Sequence, residues 1–299
     1  MPRLSVCALL ISLATLLNLC RAEASEESFN LTGSRFSYSV LPGDYLEKIG
    51  ARFGVSAEVL ASDNGIAHPD LIMPGQKIWV DNHHLVPENL ESGVVINLPQ
   101  RMLFFFQGGK LVSTYPVGLG KPSWRTVQGS FHVASLEKNP VWVVPKSIQE
   151  EMARESQIVK ERVPPGPDNP LGFFWIGLDA PGYGIHGTIA PASVYHFQSH
   201  GCIRLNRDDI AQLFPNVSKG LIVKLIYAPV LMADINGRVF IEVNRDIYHR
   251  APPLLETLHQ LAVANKVTDR IDWQGVQAIA LQQNGMAEDV TLNLTKRIE

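Results

Sequence analysis

Between residues 93 and 144 the chain runs through a succession of short β-forming segments, 93–98, 101–107, 110–118, 129–135 and 141–144, set apart by Pro, Gly and Asn turns. Strands this short, at this spacing, bury their inner faces against one another, which predicts an all-β sandwich or barrel. Two more segments, 173–178 and 183–186, and a closing one at 221–227 extend the pattern. Residues 147–162 have helical composition and read as an excursion from the sheet, followed by a Pro/Gly-rich stretch at 163–172. Residues 206–214 read as a short helix, with Asp208 and Asp209 near its start favouring the helix dipole. The domain predicted over 93–227 is therefore a mainly β sandwich carrying short helices.

A smaller unit precedes it. Alternation at Phe36, Tyr38 and Val40 signals a strand, and Pro42-Gly43 turns it. Asp44 is placed to cap a helix with Leu46, Ile49 and Phe53 on its apolar face, ended by Gly54. Ser56 then caps a second helix through Val59 and Leu60, and Pro74-Gly75 leads into a closing strand at 77–80. The order is βααβ within 36–80. Residues 81–92 are polar with one proline and read as a linker. Residues 228–299 read as an α/β extension: a hairpin around Asn236-Gly237, then helical patterning from Pro253.

At 299 residues the chain has room for more than one domain, and 45% hydrophobic with 18% charged residues suits an ordinary packed core. The net charge of −3, without any Lys/Arg run, speaks against a nucleic-acid partner. Residues 1–24 carry the marks of a cleaved export signal: Arg3, an apolar stretch at 8–19, and Ala22-Glu23-Ala24 as cleavage site. No other segment is apolar enough for a transmembrane span. Removal of the signal takes Cys7 and Cys20 with it and leaves Cys202 without a disulfide partner in an oxidising compartment.

Cys202 sits in residues 186–205, HGTIAPASVYHFQSHGCIRL. A thiol becomes a useful nucleophile when an imidazole stabilises or generates its thiolate, and His186 and His200 both qualify from the residues alone. Gly201 permits close backbone approach, and the amides of Gly201 and Cys202 are candidates for an oxyanion hole. Arg204 suits a substrate carboxylate as a bidentate partner, or a structural salt bridge. Trp175 and Tyr183 either wall a groove or pack in the core, and His196 is expected to be solvated. The spacing of His186 and His200 lacks further ligands at zinc-like distances, so neither a metal nor any other cofactor is expected.

S-H-G-C-I-R at 199–204, preceded by H-G-T at 186–188 and by V-P-P-G-P-D-N-P-L-G at 163–172, resembles the signature of the L,D-transpeptidases with a YkuD-type catalytic domain. The likeness covers residues 94–227, and E-V-N-R-D-I-Y-H-R at 242–250 resembles the segment that follows that domain in Gram-negative members. The unit at 36–80, with its P-G-D and P-G-Q-x-I elements, resembles a LysM module, although Tyr45 stands where that family commonly has Thr. In relatives most sugar contacts fall in the loop corresponding to residues 63–70.

The resemblance implies Cys202 as nucleophile, His186 as base with its tautomer fixed by the Gly187 carbonyl, His200 as a shaping or hydrogen-bonding residue, and Ser199 with His200 among the oxyanion and substrate-binding residues. It implies a periplasmic enzyme that binds peptidoglycan glycan and stem peptides. The thiol would attack the diaminopimelyl amide of a tetrapeptide stem, expel D-alanine, and pass the acyl group to an amine. That amine would belong to an outer-membrane lipoprotein lysine or to another diaminopimelate. With water as acceptor the same site would be an L,D-carboxypeptidase, and with an inactive site the chain would be a non-catalytic wall-binding protein.

Overall fold

The computed structural model describes residues 31–292; the expected export signal lies outside them. In the N-terminal unit, Arg35–Ser39 pairs antiparallel with Lys77–Asp81, and the helices Leu46–Phe53 and Ala57–Asp63 lie between them in sequence. Leu46, Ile49, Leu60, Ile78 and Val80 form its core. The first helix stops at Gly54, whose φ of +75° is open to glycine at little cost and whose N–H caps the Gly50 carbonyl. Ser56 caps the second helix by accepting from the Val59 N–H at 3.2 Å.

The first cap differs from expectation. Tyr45 holds the N-cap position without a side-chain bond. Asp44 is instead taken up by the preceding turn, accepting from the Tyr38 hydroxyl at 2.6 Å and the Leu41 N–H at 2.9 Å. Both of these bonds fall on Oδ2, and Oδ1 pairs with the Lys48 ammonium at 3.2 Å rather than with a helix N–H.

Residues 81–92 are not a loose linker. His84–Leu85 pairs with Leu31–Thr32, and His84, Leu85 and Val86 are buried. Both ring nitrogens of His84 are in hydrogen-bond contact with oxygens, Gly54 O at 2.8 Å and Glu242 Oε1 at 3.0 Å. Glu242 also accepts from the Leu85 N–H at 2.8 Å and the Gln100 amide at 2.9 Å. One buried carboxylate thus ties the N-terminal unit, the segment after it, the central sheet and the C-terminal extension together.

The central domain is a curved eight-stranded mixed sheet, half of a barrel. Its strand order is Ile203–Arg204, Gly184–His186, Phe174–Leu178, Gly129–Lys138, Ile222–Ile226, Ser92–Asn97, Met102–Gln107, Lys110–Pro116. Val94, Ile96, Leu103, Phe105, Val133, Ile176, Ile185, Ile203 and Leu225 fill its concave core, closed by Ile210 and Leu213 of the helix Arg207–Leu213. Phe104 and Phe106, alternating to the other face, pack with Val95 and Tyr195 in a second cluster. Burial on both faces explains the continuous M-L-F-F-F run.

The C-terminal extension is a three-stranded antiparallel sheet, Val230–Ile235, Arg238–Asn244 and Asn284–Asp289, with the helices Leu254–Ala264 and Trp273–Gln282 packed on it. Asn236 and Gly237 both have positive φ, as a two-residue hairpin turn needs. Met286 of the last strand joins the N-terminal unit's core. No helix among the described residues is long and apolar enough to cross a membrane.

Candidate active site

The strand that follows Cys202 exists because Ile203 and Leu205 are drawn into the sheet core. Ile203 lies opposite Ile185 and Arg204 opposite His186 in a parallel pair, and both isoleucines are buried. That register sets Cys202, just before the strand, beside the strand that carries His186. Cys202, His186, Ser199, His200, Arg204 and Gly182 open into one cavity of about 370 Å³. Trp142, Ile148, Met152, Pro170 and Leu171 form its apolar side.

The turn before Cys202 depends on glycine. Gly201 has φ +108°, and a Cβ there would stand 2.9 Å from Cε1 of Tyr183. Ser199 braces the turn: its hydroxyl donates to the Cys202 carbonyl at 2.6 Å and accepts from the Gly201 N–H at 3.1 Å. The expectation that the Gly201 amide serves an oxyanion hole is therefore corrected. Its proton is already committed to Ser199, and the Cys202 amide remains the candidate donor.

The thiol donates to the Gly182 carbonyl at 3.4 Å. Burial pushes its pKa up, opposed by the Gly184 N–H and the Arg204 charge. His186 is buried, and its Nδ1–H donates to the Gly187 carbonyl at 2.5 Å, which leaves Nε2 as the acceptor. Trp175 stacks on the ring at 5.9 Å between centroids. Burial pushes His186 down to about 4; the Gly187 bond opposes this and the Arg204 charge reinforces it. At neutral pH the resting pair is therefore thiol and imidazole, and a preformed thiolate–imidazolium pair is not what this environment favours.

Arg204 forms no ion pair among the described residues; only its backbone is engaged, with Gly118. The guanidinium is left to face the cleft. Trp175 and Tyr183 do not wall the groove but support it from behind, Trp175 under His186 and Tyr183 against Gly201. His196 is half-buried rather than solvated, with its pKa lowered first by burial and then by Arg101. It lines a separate cavity of about 430 Å³ at the junction of the three units.

His200 is engaged by a residue with no sequence signal. Its Nε2 meets the carboxylate of Glu151, on the helix Lys146–Arg154, and Glu151 also binds Lys121 Nζ at 2.8 Å. Trp124 packs edge-on against the His200 ring at 5.0 Å. Only contact across the fold brings Lys121, Glu151 and His200 together.

With this geometry in hand, the comparisons place the chain. Residues 91–225 match the family model of the L,D-transpeptidase catalytic domain, and residues 38–81 match that of the LysM domain. The chain is 30% identical over 258 residues to "Probable L,D-transpeptidase YcfS" of Escherichia coli (strain K12), covering 83% of this chain and 81% of that protein. It is 31% identical over 210 residues to "Probable L,D-transpeptidase ErfK/SrfK" of Salmonella typhimurium, covering 68% of this chain and 66% of that one. A β half-barrel with a cysteine and a tautomer-fixed histidine at one cleft, joined to a LysM domain, is the class of molecule these observations define. The chain belongs to the L,D-transpeptidase family.

Proposed function

We propose that this L,D-transpeptidase works through a Cys202 acyl-enzyme on peptidoglycan tetrapeptide stems in the periplasm, with the LysM domain holding the glycan. The observation that carries the reading is the orientation of His186: its Nδ1–H is spent on Gly187, so Nε2 faces the thiol's cavity as a neutral base. In the first half-reaction His186 takes the thiol proton as sulfur bonds to the diaminopimelyl carbonyl. The developing oxyanion is met by the Cys202 amide. The C–N bond then breaks, and D-alanine leaves with the proton held by His186, giving a thioester. In the second, a primary amine attacks that carbonyl, the C–S bond breaks, and sulfur recovers its proton through His186.

The unpaired Arg204 guanidinium supports recognition of a donor carboxylate. For the acceptor we favour the terminal lysine of an outer-membrane lipoprotein over a second diaminopimelate, because residues 163–205 resemble that group of enzymes. Expression in a strain lacking its own enzymes of this type, followed by muropeptide analysis, tests both. Lysine adducts of stem tripeptides are expected. Diaminopimelate–diaminopimelate dimers alone would reassign the acceptor, tripeptides alone would indicate an L,D-carboxypeptidase, and no product would indicate a wall-binding protein.

A further inference from the structure

The helix Lys146–Arg154 contributes Ile148, Glu151 and Met152 to the Cys202 cavity, yet none of its residues is buried. A nine-residue helix with no fully buried side chain has little intrinsic stability and must be fixed by specific contacts. Among the described residues, its only side-chain hydrogen bonds to the central β domain are the two made by Glu151, to Lys121 and His200. The Gln149 amide bonds only Val144 within its own segment, at 2.9 Å. The segment is otherwise held at its root, by the pairing of Trp142–Val143 with Arg162–Val163 and by Asn169 bonding Pro140 and Val163. The root fixes where the segment leaves the sheet; it does not fix how far the helix stands from Cys202.

We infer that Glu151 is a positioning residue for this enzyme: by gripping Lys121 and His200 together it holds the helix over the Cys202 cleft as one wall of the donor-stem groove. Lys121 follows the strand Leu119–Gly120, and His200 follows Phe197–Ser199, which pairs with it. Glu151 thus clasps both members of one rigid ribbon. Its two carboxylate oxygens are divided between Lys121 and His200, so neither partner alone reproduces the grip. The inference rests on the transpeptidase reading for its effect on donor binding, but the clasp itself does not.

The test compares the full-length wild type with Glu151→Gln, Lys121→Met and the double variant, using three readouts. Amide exchange over residues 146–154 is expected to quicken about tenfold or more in Glu151→Gln, with the sheet unchanged. The donor KM in transfer should rise about fivefold or more while kcat stays within about twofold, since a wall is loosened and the thiol is not touched. Alkylation of Cys202 by iodoacetamide should remain near the wild-type rate, showing that the nucleophile is intact. Glu151→Gln with Lys121→Met should lose little more than Glu151→Gln alone, because both act through one clasp. Unchanged exchange over 146–154 together with an unchanged KM would overturn the inference. If the wild type transfers nothing, the proposed function fails, and the exchange measurement still decides the clasp.

Discussion

Cys202 and His186 are brought together with their charges suppressed, and that has a measurable consequence. Burial raises the thiol and lowers the imidazole to about 4, so His186 is already neutral throughout the neutral range and the thiolate is scarce. Alkylation of Cys202 should therefore keep rising with pH up to about 9, without the plateau starting near about 6 that a preformed ion pair gives. A plateau at mildly acidic pH, followed with a neutral electrophile and intact-mass detection, would contradict the neutral pair. His186→Ala should slow the reaction at neutral pH by removing the proton acceptor, and His200→Ala should do so less. Gly201→Ala should be more damaging than its size suggests. It forces a Cβ into Tyr183 and holds a non-glycine residue at φ +108°, a strain of about 1–3 kcal/mol. Tyr183→Ala would remove the clash but not the backbone strain, so the double variant should recover only part of the lost transfer rate.

The helix Arg207–Leu213 joins the strand Ile203–Arg204 to the LysM domain, where the Asn206 side chain donates to the Ala51 carbonyl at 3.0 Å. Asp209 lies in this contact and is raised to about 6, chiefly by burial, with Asp208 adding to the shift and Asn206 and Arg52 opposing it. A carboxyl that binds its proton more tightly folded than unfolded contributes stability at low pH, and that contribution is lost as pH rises through about 6. Asp209→Asn should flatten this part of the curve and stabilise the protein at neutral pH by about 1–2 kcal/mol. Thermal unfolding across the acidic range checks it, and a steeper loss in the variant would refute the assignment.

What could be read from the chain alone followed local chemistry. Alternation marks Arg35–Ser39, flanking turn residues mark Met102–Gln107 and the Asn236-Gly237 hairpin, and S-H-G-C marks Cys202. Asn284–Asp289, with Gly, Ala, Glu and Asp, has no strand pattern and is a strand only because Arg238–Asn244 offers it an edge. The bond that the Ser199 hydroxyl accepts from the Gly201 N–H needs the turn geometry to be seen. Glu151 and Lys121 lie on different elements, and nothing near either in sequence points to His200.

Across the molecule, Glu242 is the piece on which the relative placement of the units rests. It is fully buried and bonded to His84, Leu85 and Gln100, with Asn244 at 3.2 Å. Glu242→Ala would leave the His84 ring, the Leu85 N–H and the Gln100 amide buried without their shared partner, and it should cost about 3–5 kcal/mol. Chemical denaturation checks the magnitude; a loss below about 1 kcal/mol would mean that the network is incidental. Fixing the LysM domain to the catalytic domain keeps the proposed glycan-binding surface at a set distance from the cleft, so under the proposed function the variant should also lose processing of polymeric wall before it loses small stem substrates. Covalent catalysis by Cys202 is tested most directly by acid-quenching the enzyme during turnover of a disaccharide-tetrapeptide and weighing the intact protein. The wild type should gain the mass of the donor less D-alanine on Cys202, and Cys202→Ser should stay unmodified. D-alanine release with no mass gain at any quench time, or the same adduct on Cys202→Ser, would contradict an acyl-enzyme at this residue.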